Sequence, residues 1–253
     1  MSAAAPLHVA GIGPGDACCL TPQARQAIVS STCLAGYGPY LELVPPELRE
    51  GKRIVATGMR REVERCEAAV AAALAGEPTC LVCSGDPGIY ALAGLVLELL
   101  QAKGLLGTVP FAVVPGVPAL CAAASLLGAP LTHDFACVSL SDLLTPLPKI
   151  RRRLEAALDG DFVLVLHNPR SRGRPGYLAE ALDMAKMRRE PDCPVGMVRN
   201  AFRAGQEAVV APLADFDPEG ADMLSIVMVG NSESRQWGNL MVTPRGYGLK
   251  REG

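Results

Sequence analysis

Three short glycine-proline segments hold the residues best suited to bind a small ligand. They are Gly11-Ile12-Gly13-Pro14-Gly15-Asp16, Ser84-Gly85-Asp86-Pro87-Gly88 and Val114-Pro115-Gly116-Val117-Pro118, and each follows an apolar run that reads as a strand. Turns at strand ends leave backbone N–H and C=O groups available, and α/β sheets bind ligands outside the carboxyl ends of their strands. Three such bends in one half of the chain predict a single ligand cleft. The first is not a dinucleotide loop. Asp16 stands where Gly-x-Gly-x-x-Gly needs glycine, the next helix waits until Pro22, and no acidic ribose partner follows about 20 residues on. Asp86 has two readings, as the cap of a helix beginning near Gly88 or as a contact to a ligand, and Pro87 suits both.

No metal chemistry is expected. His8, His133 and His167 stand apart from one another, and Cys80-x-x-Cys83 lies in an apolar run, 79–83, that reads as a buried strand. Residues three apart on a strand face opposite ways, so those two sulfurs cannot share one ion. All nine cysteines read as reduced thiols of a cytoplasmic protein, since the opening residues show neither a basic n-region nor a sustained apolar h-region. The formal net charge is −2, from 24 basic and 26 acidic residues, which gives no general attraction to nucleic acid. An uncharged stretch, 104–132, is interrupted by Pro110, Pro115, Pro118 and Pro130 and therefore does not read as a membrane span.

The elements that must position these bends alternate from the start, which indicates an α/β protein. Strands are expected at 7–12, 32–36, 53–56, 79–83 and 111–114, with helices opening at Pro22, where Thr21 is the N-cap, and at 60–75, 89–102 and 118–127. In the helix 60–75, Val63, Val70 and Leu74 recur at helical spacing, while Arg61, Glu62, Glu64 and Arg65 fall elsewhere on the wheel. The second half places strands at 135–140, 162–166, 194–199, 206–211 and 224–229, with helices at 149–158 and 177–188. Their close spacing suggests a mixed sheet with antiparallel pairs. Gly128-Ala129-Pro130 marks the expected boundary between an N-terminal α/β domain, 1–127, and a C-terminal α/β domain, 128–253.

The three bends, in this order and spacing, resemble the tetrapyrrole-methylase family, the class III methyltransferases. Further segments resemble its corrin-precursor branch: Gly36-Tyr37-Gly38-Pro39-Tyr40, Gly58-Met59-Arg60, His133-Asp134-Phe135, Ser139-Leu140-Ser141-Asp142, Asn168-Pro169-Arg170-Ser171, Val198-Arg199-Asn200-Ala201 and Val229-Gly230-Asn231-Ser232. The likeness runs from about Val9 to Tyr247, with His167 standing where relatives have tyrosine. It implies two α/β domains with a cofactor trough between them, a homodimer, and S-adenosylmethionine as cofactor, with S-adenosylhomocysteine as its product. By motif, Pro14, Gly85, Asp86, Ile89, Tyr90, Pro118, Ala119, Asn168 and Asn200 would line the cofactor site.

The implied reaction is methylation of precorrin-3B at C-17 with ring contraction to precorrin-4, a step of cobalamin biosynthesis. Methyl transfer needs alignment and a dry pocket, and ring contraction needs proton movement. His133, Asp134 and Asp142 are the candidate acids and bases, because they lie in polar loops flanking a strand. Turn formation by Asp134 and capping by Asp142 are the structural alternatives. The implied substrate is a polycarboxylate, so Arg170 and Arg199, both just past strand ends, are its expected partners. Arg151, Arg152 and Arg153 read as a solvated helix face. Other readings are a different corrin-precursor methylase, a noncatalytic tetrapyrrole carrier, or a methylase of RNA or of a modified histidine. The lack of basic excess argues against RNA.

Overall fold

Strands and helices alternate through the first 119 residues. β1 (Leu7–Gly11) leads to α1 (Pro22–Val29), β2 (Cys33–Tyr37), the short helices α2 (Gly38–Glu42) and α3 (Pro46–Arg49), β3 (Arg53–Thr57), α4 (Glu62–Leu74), β4 (Thr79–Cys83), α5 (Ala93–Ala102) and β5 (Phe111–Val114). The computed structural model describes residues 3–247 and divides the chain into two units, Met1–Ala119 and Leu120–Gly253. In the first unit the strands form one parallel sheet in the order β3-β2-β4-β1-β5. All of their carboxyl ends therefore share one edge.

Helices cover both faces of this sheet, as parallel strands buried on both sides require. Leu7, Val9, Leu81 and Cys83 pack with Cys66, Ala69 and Val70 of α4 and with Val96 and Leu100 of α5. Ala10, Cys80 and Val82 pack on the other face with Ala24 and Ile28 of α1 and with Leu41. The pleat thus sends Cys80 and Cys83 into different clusters, as their spacing implies. Thr21 caps α1, accepting from the Ala24 amide at 3.1 Å.

Two helices depart from the sequence reading. In α4 the buried face is Arg65, Cys66, Ala69, Val70, Ala72 and Ala73, while Val63 and Leu74 are exposed. Small residues let the helix lie close to the sheet, and Arg65 turns inward to satisfy polar groups at its edge. α5 begins at Ala93, not near Gly88, so residues 84–92 form an extended loop and Asp86 caps no helix.

The second unit contains most of α6 (Ala119–Leu127), then β6 (Gly128–Ala129), β7 (Phe135–Ser139), α7 (Leu147–Asp159), β8 (Val163–His167), α8 (Tyr177–Lys186), β9 (Pro194–Arg199), β10 (Glu207–Pro212), β11 (Ser225–Val229), β12 (Arg235–Trp237) and β13 (Leu240–Val242). Its main sheet is mixed, in the order β10-β9-β11-β8-β7, with only β7 and β8 paired in parallel. Because β8 and β9 both run antiparallel to β11, the carboxyl ends of β7, β8 and β9 share an edge. A small sheet, β12-β13-β6, joins residues more than 100 positions apart and has no signal in the sequence. The sequence reading divides the chain after Leu127, whereas the structure groups Leu120–Leu127 with the second unit. Leu127 packs so tightly on β9 that a methyl group on Gly196 would come within 2.6 Å of it.

No helix among the described residues is long and apolar enough to cross a membrane. The described residues contain no group of three or more His, Cys, Asp or Glu placed to hold a metal.

Candidate active site

The three glycine-proline bends follow β1, β4 and β5, which are neighbours in the first sheet. They meet through their backbones. Gly13 and Gly85 exchange hydrogen bonds, Gly85 N–H to Gly13 O at 2.8 Å and Gly13 N–H to Gly85 O at 3.2 Å. A Cβ on Gly116 would lie 2.2 Å from Gly85 O, and one on Gly11 would lie 2.4 Å from the same atom. Such distances are far inside van der Waals contact, so only glycine fits where the bends cross. Gly85 also has φ +67°, a conformation that side chains strain. Its N–H and C=O serve the brace, so its main role here is to lock the bends together.

Asp86 spans this junction. Its Oδ1 accepts from the Gly88 amide at 2.8 Å and its Oδ2 from the Gly116 amide at 3.2 Å, tying the second bend to the third. The Thr21 hydroxyl donates to Pro115 O at 3.2 Å and holds the third bend to the cap of α1. Pro14 is buried, and Pro118 and Ala119 lie against Gly85, where a Cβ would reach 3.4 Å from Ala119 N. Ile89 and Tyr90 sit in the loop that follows, Tyr90 at φ 51°. Seven of the nine expected cofactor residues are thus gathered at or beside one junction, with Asn168 and Asn200 in the other unit. Asp16 caps a short 3-10 turn through the Cys18 amide, a bond that holds its carboxyl below the usual range. Hydrogen bonding to Asp16 and to Cys19 pushes the Cys18 thiol up to about 11, so it is not an activated nucleophile.

The second unit builds its edge from side chains. Asn168 follows β8 at φ 52° and donates to Ser139 Oγ, at the end of β7, at 2.9 Å. Asn200 follows β9 at φ 52°, and its Nδ2 reaches Gly205 O at 3.4 Å. Asparagine is the side chain that tolerates this backbone best. Asp142 shares the edge, accepting from the Tyr177 hydroxyl at 2.8 Å with Arg174 Nε 3.8 Å away. That bond to Asp142 raises the Tyr177 phenol, which stays a donor. Arg174 is buried and further held by Leu140 O at 3.2 Å. Tyr177 and Ser139 were not among the expected site residues, because nothing near them in sequence marks Asp142 or Asn168 as partners. Among the described residues, the non-glycine residues with positive φ are Arg60, Tyr90, Asp161, Asn168, Asn200 and Phe202. All but Asp161 lie beyond the carboxyl edge of a sheet, where such backbone, costing about 1 kcal/mol each, is typically stored for function.

Other expected site residues are placed differently. His133 and Asp134 precede β7, so they lie at the opposite edge of the sheet from Asp142, about 17 Å away for a five-residue strand. His133 Nδ1 accepts from the Asp134 amide at 2.8 Å, a local turn contact. Arg170 and Arg199 are at the correct edge but are occupied. Arg170 donates to Glu219 O at 2.7 Å and pairs with the Glu219 carboxylate, while Arg199 pairs with Glu207, its cross-strand neighbour on β10, at 2.5 Å. His167, at the end of β8, is pushed down to about 4 by burial and is neutral near pH 7. A cavity of about 840 Å³ lined by Arg188, Arg189, Cys193 and Arg235 opens at the same far edge as His133. Its guanidinium groups are spent on Asp159 at 2.6 Å, on Asp161 at 3.3 Å and on the carbonyls of Ser232 and Ser234.

A backbone-braced junction of three bends beneath a parallel sheet edge is the arrangement that the sequence likeness required, and comparison with known proteins decides the family. Residues 6–217 match the model of the Tetrapyrrole (Corrin/Porphyrin) Methylases. The chain belongs to the tetrapyrrole methylases. These are S-adenosylmethionine-dependent enzymes, and this tetrapyrrole methylase is 47% identical to the probable cobalt-factor III C(17)-methyltransferase of Salmonella typhimurium, over 96% of this chain and 100% of that one. It is 38% identical to the precorrin-3B C(17)-methyltransferase of a Sinorhizobium species, over 95% and 96% of the two chains. Its fold matches the crystal structure of the methyltransferase CobJ with a TM-score of 0.90 at 36% identity, covering 95% of this chain and 100% of that one.

Proposed function

We propose that this methyltransferase carries a methyl group from S-adenosylmethionine to C-17 of a corrin precursor, precorrin-3B or its cobalt-containing counterpart, with contraction of the ring. The observation that carries the reading is the locking of the bends after β1, β4 and β5 into one junction at the Gly11–Gly85–Gly116 contact. A junction made of backbone does not reorganise as the reaction proceeds, and this suits a displacement whose main need is alignment.

The residues present fit the cofactor. In the first unit Pro14, Gly85, Asp86, Ile89, Tyr90, Pro118 and Ala119 would hold it, and the family likeness adds Asn168 and Asn200. When bound, the cofactor supplies an electrophilic methyl group on a sulfonium. Asp86 is fixed by two amides and presents a steady negative field beside the bends. Asp142 is the carboxylate we assign to proton movement, because it shares an edge with Asn168 and Asn200, and Tyr177 and Arg174 keep it oriented. His133 and Asp134, at the opposite edge of that sheet, are left out of this role. We place the enzyme in the cytoplasm as a homodimer, in keeping with its family.

The test is incubation of the purified protein with methyl-labelled S-adenosylmethionine and, separately, precorrin-3B and cobalt-factor III. Product mass and absorbance should report one added methyl group and a contracted ring. Binding of the tetrapyrrole without label transfer would instead identify a carrier.

A further inference from the structure

We propose that Arg60, on the bend that follows β3, binds a peripheral carboxylate of the tetrapyrrole. The inference rests on the substrate class given above and names the residue that receives its charge.

The two arginines best placed by sequence, Arg170 and Arg199, are already paired with Glu219 and Glu207. Arg60 differs from both. It is exposed and makes no hydrogen bond or ion pair among the described residues. Glu64, four positions on, is engaged by Arg61 at 2.7 Å. Its backbone is also unusual. Arg60 sits at φ 62°, where glycine or asparagine would fit at lower cost, so the position keeps a long cation against its backbone preference.

The bend is held firmly enough to keep that conformation. Arg65, one turn into α4, is only 4% exposed. Its Nε donates to Thr57 Oγ1 at 2.6 Å, its Nη2 donates to Gly58 O at 2.9 Å, and its guanidinium lies 5.6 Å from the Tyr37 ring centroid. Tyr37 is braced in turn by Tyr40, edge to face at 5.1 Å. The Tyr37–Tyr40 and Gly58–Arg60 segments, separate in sequence, thereby form one support built around a buried cation.

Position completes the argument. The sheet is parallel, so the bend after β3 opens on the same edge as the bends after β4, β1 and β5. β3 and β4 are two strand spacings apart, about 10 Å, a gap that a long arginine side chain and a large ligand can bridge together. Met59, the preceding residue and 70% exposed, adds apolar surface to the same bend. Apolar surface and an unpaired guanidinium on one bend match a flat apolar macrocycle that carries carboxylate arms.

The test uses Arg60→Asn, which removes the charge but tolerates the backbone, together with Arg60→Lys. Arg60→Asn should raise KM for the tetrapyrrole about tenfold, the size expected for one exposed charge-assisted contact, with kcat and KM for S-adenosylmethionine within about twofold of wild type. Arg60→Lys should recover part of the loss. Tetrapyrrole binding without cofactor, followed by absorbance, should weaken in parallel, and this arm remains readable even if wild type transfers no methyl group. An unchanged tetrapyrrole affinity in Arg60→Asn would overturn the assignment. So would an equal loss of affinity for both ligands, which would mark a general distortion of the edge.

Discussion

The two sheet edges achieve order by opposite means. In the first unit three bends are fastened by backbone against backbone, with glycine at each crossing and the Asp86 side chain spanning them. In the second unit the edge is set by side chains: Asn168 to Ser139, Tyr177 to Asp142, Arg170 to Glu219 and Arg199 to Glu207. A backbone junction has no room for added atoms and contains few groups that titrate. A side-chain edge accepts changes of shape and responds to changes of charge. On the proposed function, this division would give the cofactor a fixed place and proton movement a tunable surface.

The largest effect should come from breaking the backbone junction. Gly116→Ala would put a methyl group 2.2 Å from Gly85 O. A loss of about 3 kcal/mol or more is expected, since neither partner can move without the others. Urea unfolding measures it, and S-adenosylmethionine titration should show cofactor binding lost as well. Near-normal stability would mean that the junction is looser than its distances imply.

The second unit should be the one that feels acid. Burial holds the His167 imidazole at about 4, below its unfolded value near 6.5. Between those two values the unfolded chain takes up the proton and the folded chain does not. Stability from this group is therefore whole above about 6.5 and lost as pH falls toward 4, by a total of order 3 kcal/mol. His167→Gln should flatten that acid limb in urea titrations between pH 7 and pH 4.5. If wild type and variant fall in parallel, the histidine is not the group responsible.

A smaller effect should follow Tyr177→Phe, which removes the donor to Asp142 but leaves the ring. About 1–2 kcal/mol of stability should go with that bond. On the proposed role kcat should fall while KM for S-adenosylmethionine holds, and a reversed pattern would move Asp142 from proton transfer to cofactor binding. The smallest effect is expected for Asn200→Gly. It keeps a backbone at φ 52° that glycine adopts freely, so stability should stay within about 0.5 kcal/mol of wild type. A marked loss of cofactor affinity at preserved stability would separate the asparagine side chain from its backbone role.

Much of this was legible in the residues. β4, β5 and β9 lie where apolar runs between turn signals place them, and Thr21-Pro22 marks the start of α1. Cys80 and Cys83 point to opposite faces because a pleat alternates. Errors gathered where local preference yields to distant partners. Arg65 reads as a surface charge on a helical wheel, yet it is buried because Thr57, Gly58 and Tyr37 come to meet it. Gly88 reads as the start of a helix, but the loop runs on to Ala93 while Asp86 reaches toward Gly116. Arg170 and Arg199 look available because Glu219 is 49 positions away and Glu207 lies across a hairpin.

Sequence alone determined that strands and helices alternate, where the strands of the two main sheets lie, and which bends stand at the strand ends of the first half, because period, turn chemistry and proline depend on near neighbours. Tertiary structure decided which charges are spent and which remain. A guanidinium is neutralised by whichever carboxylate folding brings within about 3 Å, and that distance is set by strand order and register rather than by separation along the chain.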